Sequence, residues 1–376
     1  MPVPVTDLLS TPPVSSVTFS LEPSYNAFNS LSLLTRAEML SGLDDWVTRT
    51  LASLSKERLH QHELVFVGLY FAVEPTRSFP TFAAYIDDVA RQTPEALRDR
   101  VFEAYARLSP CEDTAKMTAP TDMASLLADR DAFLRYLRER FSPEHVIESI
   151  ETEAHALLND PARLRNVIVE HLQIMWQTVL EPEWARVTPL LQACVDAYQQ
   201  IDFSGQTLVQ AAETVVGHAL SDDWRQKIST FDRLVCVPSA HLGPYLMKYN
   251  QWRSPVRAAT PKTLMLMFGA RQPQGSAVMS PDLSRSELLV RLLALADDTR
   301  LRILHLIAEQ GELCSPEVIR QLELSQSAAS RHLQQLTATG YLEERRREGA
   351  KCYTLNADHV DDTFRALLRY LPGKRA

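Results

Sequence analysis

Residues 284–356 read SRSELLVRLLALADDTRLRILHLIAEQGELCSPEVIRQLELSQSAASRHLQQLTATGYLEERRREGAKCYTLN. Leu288, Leu289, Leu292 and Leu293 recur at helical spacing and predict a first helix. A second helix, starting near Asp298, carries Leu301, Ile303, Leu304 and Ile307. Ser315-Pro316-Glu317 is a third start: Ser caps, Pro occupies the first turn and Glu complements the helix dipole. That helix runs to about Leu322. Leu324-Ser325 forms a turn, Ser325 caps a fourth helix over 326–337, and Gly340 ends it. Two short helices joined by a tight turn are the helix-turn-helix arrangement.

The fourth helix presents Gln326, Ser327, Ala328, Ser330 and Arg331 near its N-terminal end, with Gln334 also outward, while Ala329, Leu333 and Leu336 face inward. A helix lying in the major groove needs short or polar side chains there, because its first residues meet base edges. Tyr341 to Arg346, a Glu348-Gly349 turn and Ala350 to Leu355 alternate as a β-hairpin. Arg345, Arg346, Arg347 and Lys351 crowd its tip and suit phosphate or minor-groove contact. A last helix starts near Asp358 and lines up Val360, Phe364, Leu367, Leu368 and Leu371 as an apolar stripe.

The stretches LLALADDTRLRILHLI and GELCSPEVIRQLELSQSAASRHLQQLTATGYLEERRREGAKCYTL resemble the ArsR family of winged-helix regulators over about 70 continuous residues. The resemblance implies a dimeric transcription regulator on double-stranded operator DNA of two-fold symmetry, with Gln326, Ser327, Ser330 and Arg331 where the family reads bases. It also implies a dimer seam made by the first and last helices, through Leu288, Leu289, Leu292, Val360, Phe364, Leu367, Leu368 and Leu371. The departures concern metal. Family sensors place a Cys-x-Cys pair at the start of the third helix, where this chain has Cys314-Ser315-Pro316. Others use a His/Asp set on the last helix; here Asp358 and His359 are followed by Tyr370 and Gly373. One thiol or one His does not make a tetrahedral site, so no metal or other cofactor is expected.

Outward from this block, Arg271 to Pro281 (RQPQGSAVMSP) reads as a linker. The expected organisation is a flexible tail over 1–15, a mostly helical N-terminal domain over 16–270, a linker over 271–283 and a winged helix-turn-helix domain over 284–376. The fold class is mainly α, with a small β-sheet. From about 24 to 230, helical stretches are broken near Pro80, Pro94, Pro120, Pro143, Pro161 and Pro182. Asp160-Pro161 opens one helix, with Leu164, Val167, Ile168 and Leu172 as its apolar stripe. Val17 to Leu21, Leu234 to Val237 and Thr263 to Phe268 read as strands of the small sheet. This region is similar, more loosely and around Val237-Pro238-Ser239, to an uncharacterised domain preceding ArsR-type winged helices in some bacterial regulators. That likeness implies a sensing or partner-binding module for an unknown small-molecule or protein effector.

Catalytic signatures are missing. The eleven glycines make no GxGxxG, P-loop or GxSxG. His60 and His62, two apart, diverge on a helix. His145, Glu148, Glu151 and His155 fall near one stripe, which reads as a solvated polar face ahead of a metal site. The longest apolar run, Leu64 to Val73, is too short to span a bilayer. The N-terminus has no basic region followed by an apolar stretch. Cys111, Cys194, Cys236, Cys314 and Cys352 lack paired spacing, which argues against disulfides and for a reducing cytoplasm. Buried, inert thiols are the expectation, ahead of a sensing Cys314 or a Cys352 activated by Lys351.

Charge is uneven. Residues 284–376 hold 14 Lys/Arg and 13 Asp/Glu, a net of +1, and the remainder holds 25 and 34, a net of −9. Any DNA contact must come from a local basic patch. Two other classes stay open: an interaction protein with a DNA-inactive winged helix, and a regulator whose N-terminal domain is an unrecognised enzyme.

Overall fold

The computed structural model describes residues 16–106, 123–141, 146–250, 261–273 and 281–371. The tail over 1–15, most of the expected linker, Pro120, Pro143, Cys111, His145 and Gly373 lie outside them. The chain divides into two units: Glu22–Pro189, and a composite of Met1–Leu21 with Leu190–Ala376. The sequence suggests a division near 270–284 instead. Residues 190–270 group with the C-terminal part, which they meet through side-chain contacts such as Asp223 with Arg346 and His218 with the Ala338 carbonyl.

Unit Glu22–Pro189 is helical. Its helix Pro23–Leu34 is buried on every side, including Ser24, Asn26, Asn29, Ser30 and Ser32. The Ser30 hydroxyl is satisfied locally by donating to the Asn26 carbonyl at 2.8 Å, which lets a polar side chain sit inside. Helix starts follow the capping rules. Thr93 caps Pro94–Tyr105 and Asp160 caps Pro161–Met175, each with proline in the first turn. Leu164, Ile168 and Leu172 are buried as expected, with Val167 half-buried. Two helices contain a π-helical turn, Leu64–Gly68 and Trp176–Leu180.

The first π turn packs against helix Glu148–Leu158. A Cβ on Gly68 would lie 2.8 Å from Ala154 Cβ, so the close approach requires glycine. Beside it, His62 Nε2 donates to the Leu31 carbonyl at 2.9 Å. His62 Nδ1 must then accept from His171 Nε2, 3.0 Å away. His171 Nδ1 is left without a partner. Burial holds both rings neutral, pushing His62 down to about 4 and His171 to about 3.

In the composite unit, β1 (Val17–Phe19), β2 (Arg233–Ser239), β3 (Leu246–Asn250) and β4 (Thr263–Gly269) form one sheet in the order β1-β2-β4-β3. β1, β2 and β4 run parallel, with Val17 opposite Leu234 and Arg233 opposite Thr263; β3 is antiparallel to β4. β4 is TLMLMFG, buried throughout, the unbroken apolar run of a central strand. β3 is absent from the sequence reading: LMKYN lacks a clear alternation, and its place at the sheet edge tolerates Lys248 and Asn250.

Candidate nucleic-acid interface

The C-terminal helices Pro281–Leu295, Asp298–Gln310, Ser315–Leu322, Gln326–Ala338 and Ala357–Tyr370 surround one core built on Ile303, Ile307, Val318, Leu333, Leu336 and Tyr341. Leu301, expected to face inward, is half-exposed, and Arg300 takes the inner position. Its guanidinium donates to the Ala294 carbonyl at 2.6 Å, the Leu293 carbonyl at 2.8 Å and Gln335 Oε1 at 2.9 Å. A buried guanidinium is tolerated because its donors are used, and here they tie three helices together. The third helix is capped by Cys314 rather than Ser315, with Glu317 accepting from the Cys314 amide at 2.8 Å.

Ser325 caps helix Gln326–Ala338 by accepting from the Ala328 amide at 3.2 Å. Ala329, Leu333 and Leu336 are buried, while Gln326, Ser327, Ser330, Arg331 and Gln334 are exposed and Ala328 is half-buried. The structure therefore brings the four expected base-reading side chains to one open face.

β5 (Glu312–Cys314), β6 (Leu342–Arg347) and β7 (Ala350–Leu355) form an antiparallel sheet in the order β5-β7-β6. Glu348 and Gly349 turn the hairpin with φ of 54° and 83°, as a tight two-residue turn requires. The four tip cations are exposed, but each meets a carboxylate. Arg345 and Arg347 share Glu312, Arg347 at 2.8 Å. Lys351 lies 3.0 Å from Glu344 and Arg346 lies 3.1 Å from Asp223. The Arg346 amide also donates to Asp222 at 3.4 Å. Asp222 and Asp223 open helix Asp222–Ile228, far away in sequence, so inspection of the wing alone could not find them.

Residues 218–246 also flank the fourth helix. His218 Nε2 lies 3.2 Å from the Ala338 carbonyl and Nδ1 2.9 Å from the Ala219 carbonyl, and burial pushes this imidazole down to about 4. A groove of about 440 Å³ has Trp224, Lys227 and Tyr245 on one wall and Ser330, Gln334 and Lys351 on the other.

The cysteine expectation is corrected here. Cys314 and Cys352 stand opposite each other in the β5–β7 ladder and form a disulfide, 38 residues apart in sequence. The bond closes the loop that carries helix Gln326–Ala338 and the wing, and it removes Cys352 as an activated thiol. The spacing gave no hint because strand pairing, not sequence distance, brings the sulfurs together. Cys194 and Cys236 are free and buried. Among the described residues, no group of three or more His, Cys, Asp and Glu is arranged to hold a metal ion.

The expected seam residues divide. Leu288 is buried; Leu292, Val360 and Leu367 are half-buried; Leu289, Phe364, Leu368 and Leu371 are exposed, together with Leu293. The last helix is anchored from the other side by Tyr341, whose hydroxyl lies 3.0 Å from the Arg291 carbonyl and 3.1 Å from Thr363 Oγ1.

Three core helices, a helix-turn-helix pair and a β-hairpin wing define a winged helix-turn-helix domain of a DNA-binding regulator. Residues 297–344 match the model of bacterial regulatory proteins of the arsR family, so the C-terminal part of this chain is an ArsR-family domain. The arsenic resistance transcriptional regulator ArsR1 of Pseudomonas putida is 50% identical over 64 residues, 17% of this chain and 50% of its own length. The cadmium resistance transcriptional regulatory protein CadC homolog of Staphylococcus aureus is 37% identical over 67 residues, 18% of this chain and 55% of its own length. The chain thus spans about half the length of the curated relatives it matches. The solved structure of reduced HlyU from Vibrio cholerae N16961 is 36% identical, covering 24% of this chain and 94% of that one, with a TM-score of 0.19. The family match points to transcription regulation for residues 297–344 and says nothing of the region before them. Among the described residues no helix is long and apolar enough to cross a membrane.

Proposed function

We propose that the chain is a sequence-specific transcription regulator acting as a homodimer on a palindromic operator, with 284–376 as its DNA-binding domain and the preceding region sensing an effector or binding a partner. One observation carries the reading: the open face of helix Gln326–Ala338, where Gln326, Ser327, Ser330 and Arg331 are exposed above a buried apolar side. Such a helix fits the major groove N-terminus first. Arg331 is the candidate for a bidentate contact to guanine, and Arg345, Arg346, Arg347 and Lys351 for phosphates or the minor groove. The exposed side chains of Leu289, Leu293, Phe364, Leu368 and Leu371 support a two-fold seam. A dimer would set the recognition helices about 34–36 Å apart. A role in arsenic or cadmium resistance, as in the relatives' names, is not carried over, because Cys314 is held in the disulfide and is not free as a thiolate ligand.

The test is a binding titration on DNA flanking the chain's own gene. Arg331→Ala should lose about 1–3 kcal/mol on the operator and relax specificity. Retention of the full preference over random DNA refutes the assignment. For the seam, Phe364→Asp should convert a dimer to a monomer in sedimentation; a wild-type protein that stays monomeric on operator DNA sinks the symmetric arrangement.

The paired wing cations favour a second reading, an interaction protein whose winged helix no longer binds DNA. A steep fall of affinity with salt supports the first reading; its absence supports the second.

A further inference from the structure

Within unit Glu22–Pro189 the side chains around Glu151 line a half-open cavity of about 220 Å³. Its wall is aromatic: Phe66, Tyr70, Phe71, Tyr105 and Phe141 all line it. Four of these rings form a continuous belt, with centroids 5.3 Å apart for Tyr70 and Phe71, 5.6 Å for Phe71 and Tyr105, and 6.1 Å for Tyr105 and Phe141. Glu151 also lines the space, although it is 95% buried, at 5% exposure. Its Oε2 has no hydrogen-bond partner.

Among the described residues no salt bridge reaches that carboxyl; Arg36, the other charged residue of the lining, has a partner of its own. Glu148, one turn earlier, pairs with Arg138 at 2.7 Å, and His155, one turn later, bonds the Leu126 carbonyl at 2.9 Å. The stripe that reads as a solvated polar face is therefore split, and its middle member points into an apolar chamber. Burial alone raises Glu151 to about 7. A buried polar group normally finds a partner, so an orphaned one facing a cavity marks a missing occupant.

The backbone is built around the same place. Phe66 belongs to the π-helical turn Leu64–Gly68, an irregularity that often accompanies ligand sites. Gly68 lets this turn approach Ile150 and Ala154, on either side of Glu151.

We propose that this cavity binds a small organic cation, an ammonium or quaternary amine with a compact apolar body, held between the Glu151 carboxylate and the aromatic faces. The ring faces are negative and attract a cation, the carboxylate supplies its counter-charge, and the apolar body displaces water from the belt. An anion would meet the same ring faces and the Glu151 charge and is disfavoured relative to a cation. The inference is independent of the DNA-binding reading, because it is tested on the protein without DNA.

The experiment titrates the full chain with methylammonium, tetramethylammonium and phenethylammonium, each beside a neutral counterpart such as 2-phenylethanol, by calorimetry and thermal shift. The expected result is binding of at least one cation, failure of its neutral counterpart, and affinity about ten-fold weaker in Glu151→Gln. Val67→Trp, which fills the cavity and leaves the carboxyl in place, should abolish binding; it also serves if Glu151→Gln does not fold. Equal binding of cation and neutral counterpart, an unchanged affinity in Glu151→Gln, or no response to any of the cations at millimolar concentration overturns the proposal.

Discussion

The wing and the Glu151 cavity treat charge in opposite ways. In the wing, four cations stand in solvent and each has a carboxylate beside it. In the helical unit, one carboxyl is shut away from water with an oxygen unpaired. Exposed pairs contribute about 0–1 kcal/mol each, so a phosphate oxygen can replace Asp223 on Arg346 at small cost, whereas Glu312 and Glu344, at 14% and 10% side-chain exposure, hold their cations more firmly. A buried, unpaired carboxyl carries a desolvation penalty that only a partner or a proton relieves. The Arg346 pair is therefore exchangeable, whereas the Glu151 carboxyl must be met by a cation or a proton.

The largest expected effect lies on the buried side. His62 and His171 are held well below the ordinary imidazole value, so between about 6.5 and their folded values the unfolded chain binds more protons. Their contribution is complete above pH 6.5 and is lost as pH falls through about 4 for His62 and about 3 for His171. Glu151 has the opposite sign. Its carboxyl is raised to about 7, so its contribution is complete below the ordinary carboxylate range and is lost as pH rises through 7. Thermal unfolding followed by circular dichroism from pH 4 to 8 should show a steep loss on the acid side, and Glu151→Gln should remove the shallower decline toward pH 8. A flat profile below pH 6 would mean that water reaches the histidine pair.

Gly68→Ala gives an intermediate effect. The added methyl meets Ala154 Cβ at 2.8 Å and Ile150 Cγ2 at 3.3 Å, both on a packed helix. Overpacking of this kind costs about 1–3 kcal/mol, to be read from denaturant midpoints. Cation binding should weaken in the same variant, since the shifted helix carries Glu151.

The smallest effect belongs to the wing. Asp222→Asn with Asp223→Asn removes the carboxylates that face the Arg346 amide and guanidinium, and operator affinity should rise by no more than about 1 kcal/mol. The slope of log affinity against log salt should steepen by about one unit. An unchanged slope would keep Arg346 off the DNA and blur the contrast between the two regions.

Much of the winged helix was legible because its signals are local. Ser325 as a cap, the inward Ala329, Leu333 and Leu336, and the Glu348-Gly349 turn each depend on a few neighbouring residues. The strands at Leu234 and Thr263 showed as apolar runs for the same reason. β3 did not, because an edge strand needs no pattern of its own once β4 offers it hydrogen bonds. Leu301 was misplaced because periodicity ranks residues by hydrophobicity, and a fully bonded Arg300 can take the inner position. The stripe around Glu151 was visible, yet its three described members have three different fates.

By itself, the sequence determined the order of helices, the exposed polar face of helix Gln326–Ala338 and the family of the C-terminal domain, because capping, turn chemistry and 3.6-residue periodicity act over a few residues. Only the tertiary structure decided which charges are paired, which cysteines meet and where a cavity opens. Glu312, Asp223 and the wing arginines, Cys314 and Cys352, and the rings around Glu151 come together through strand pairing and helix packing between distant segments. Coulomb attraction, disulfide geometry and desolvation all depend on distance and on the surrounding medium, and the chain acquires both only when it folds.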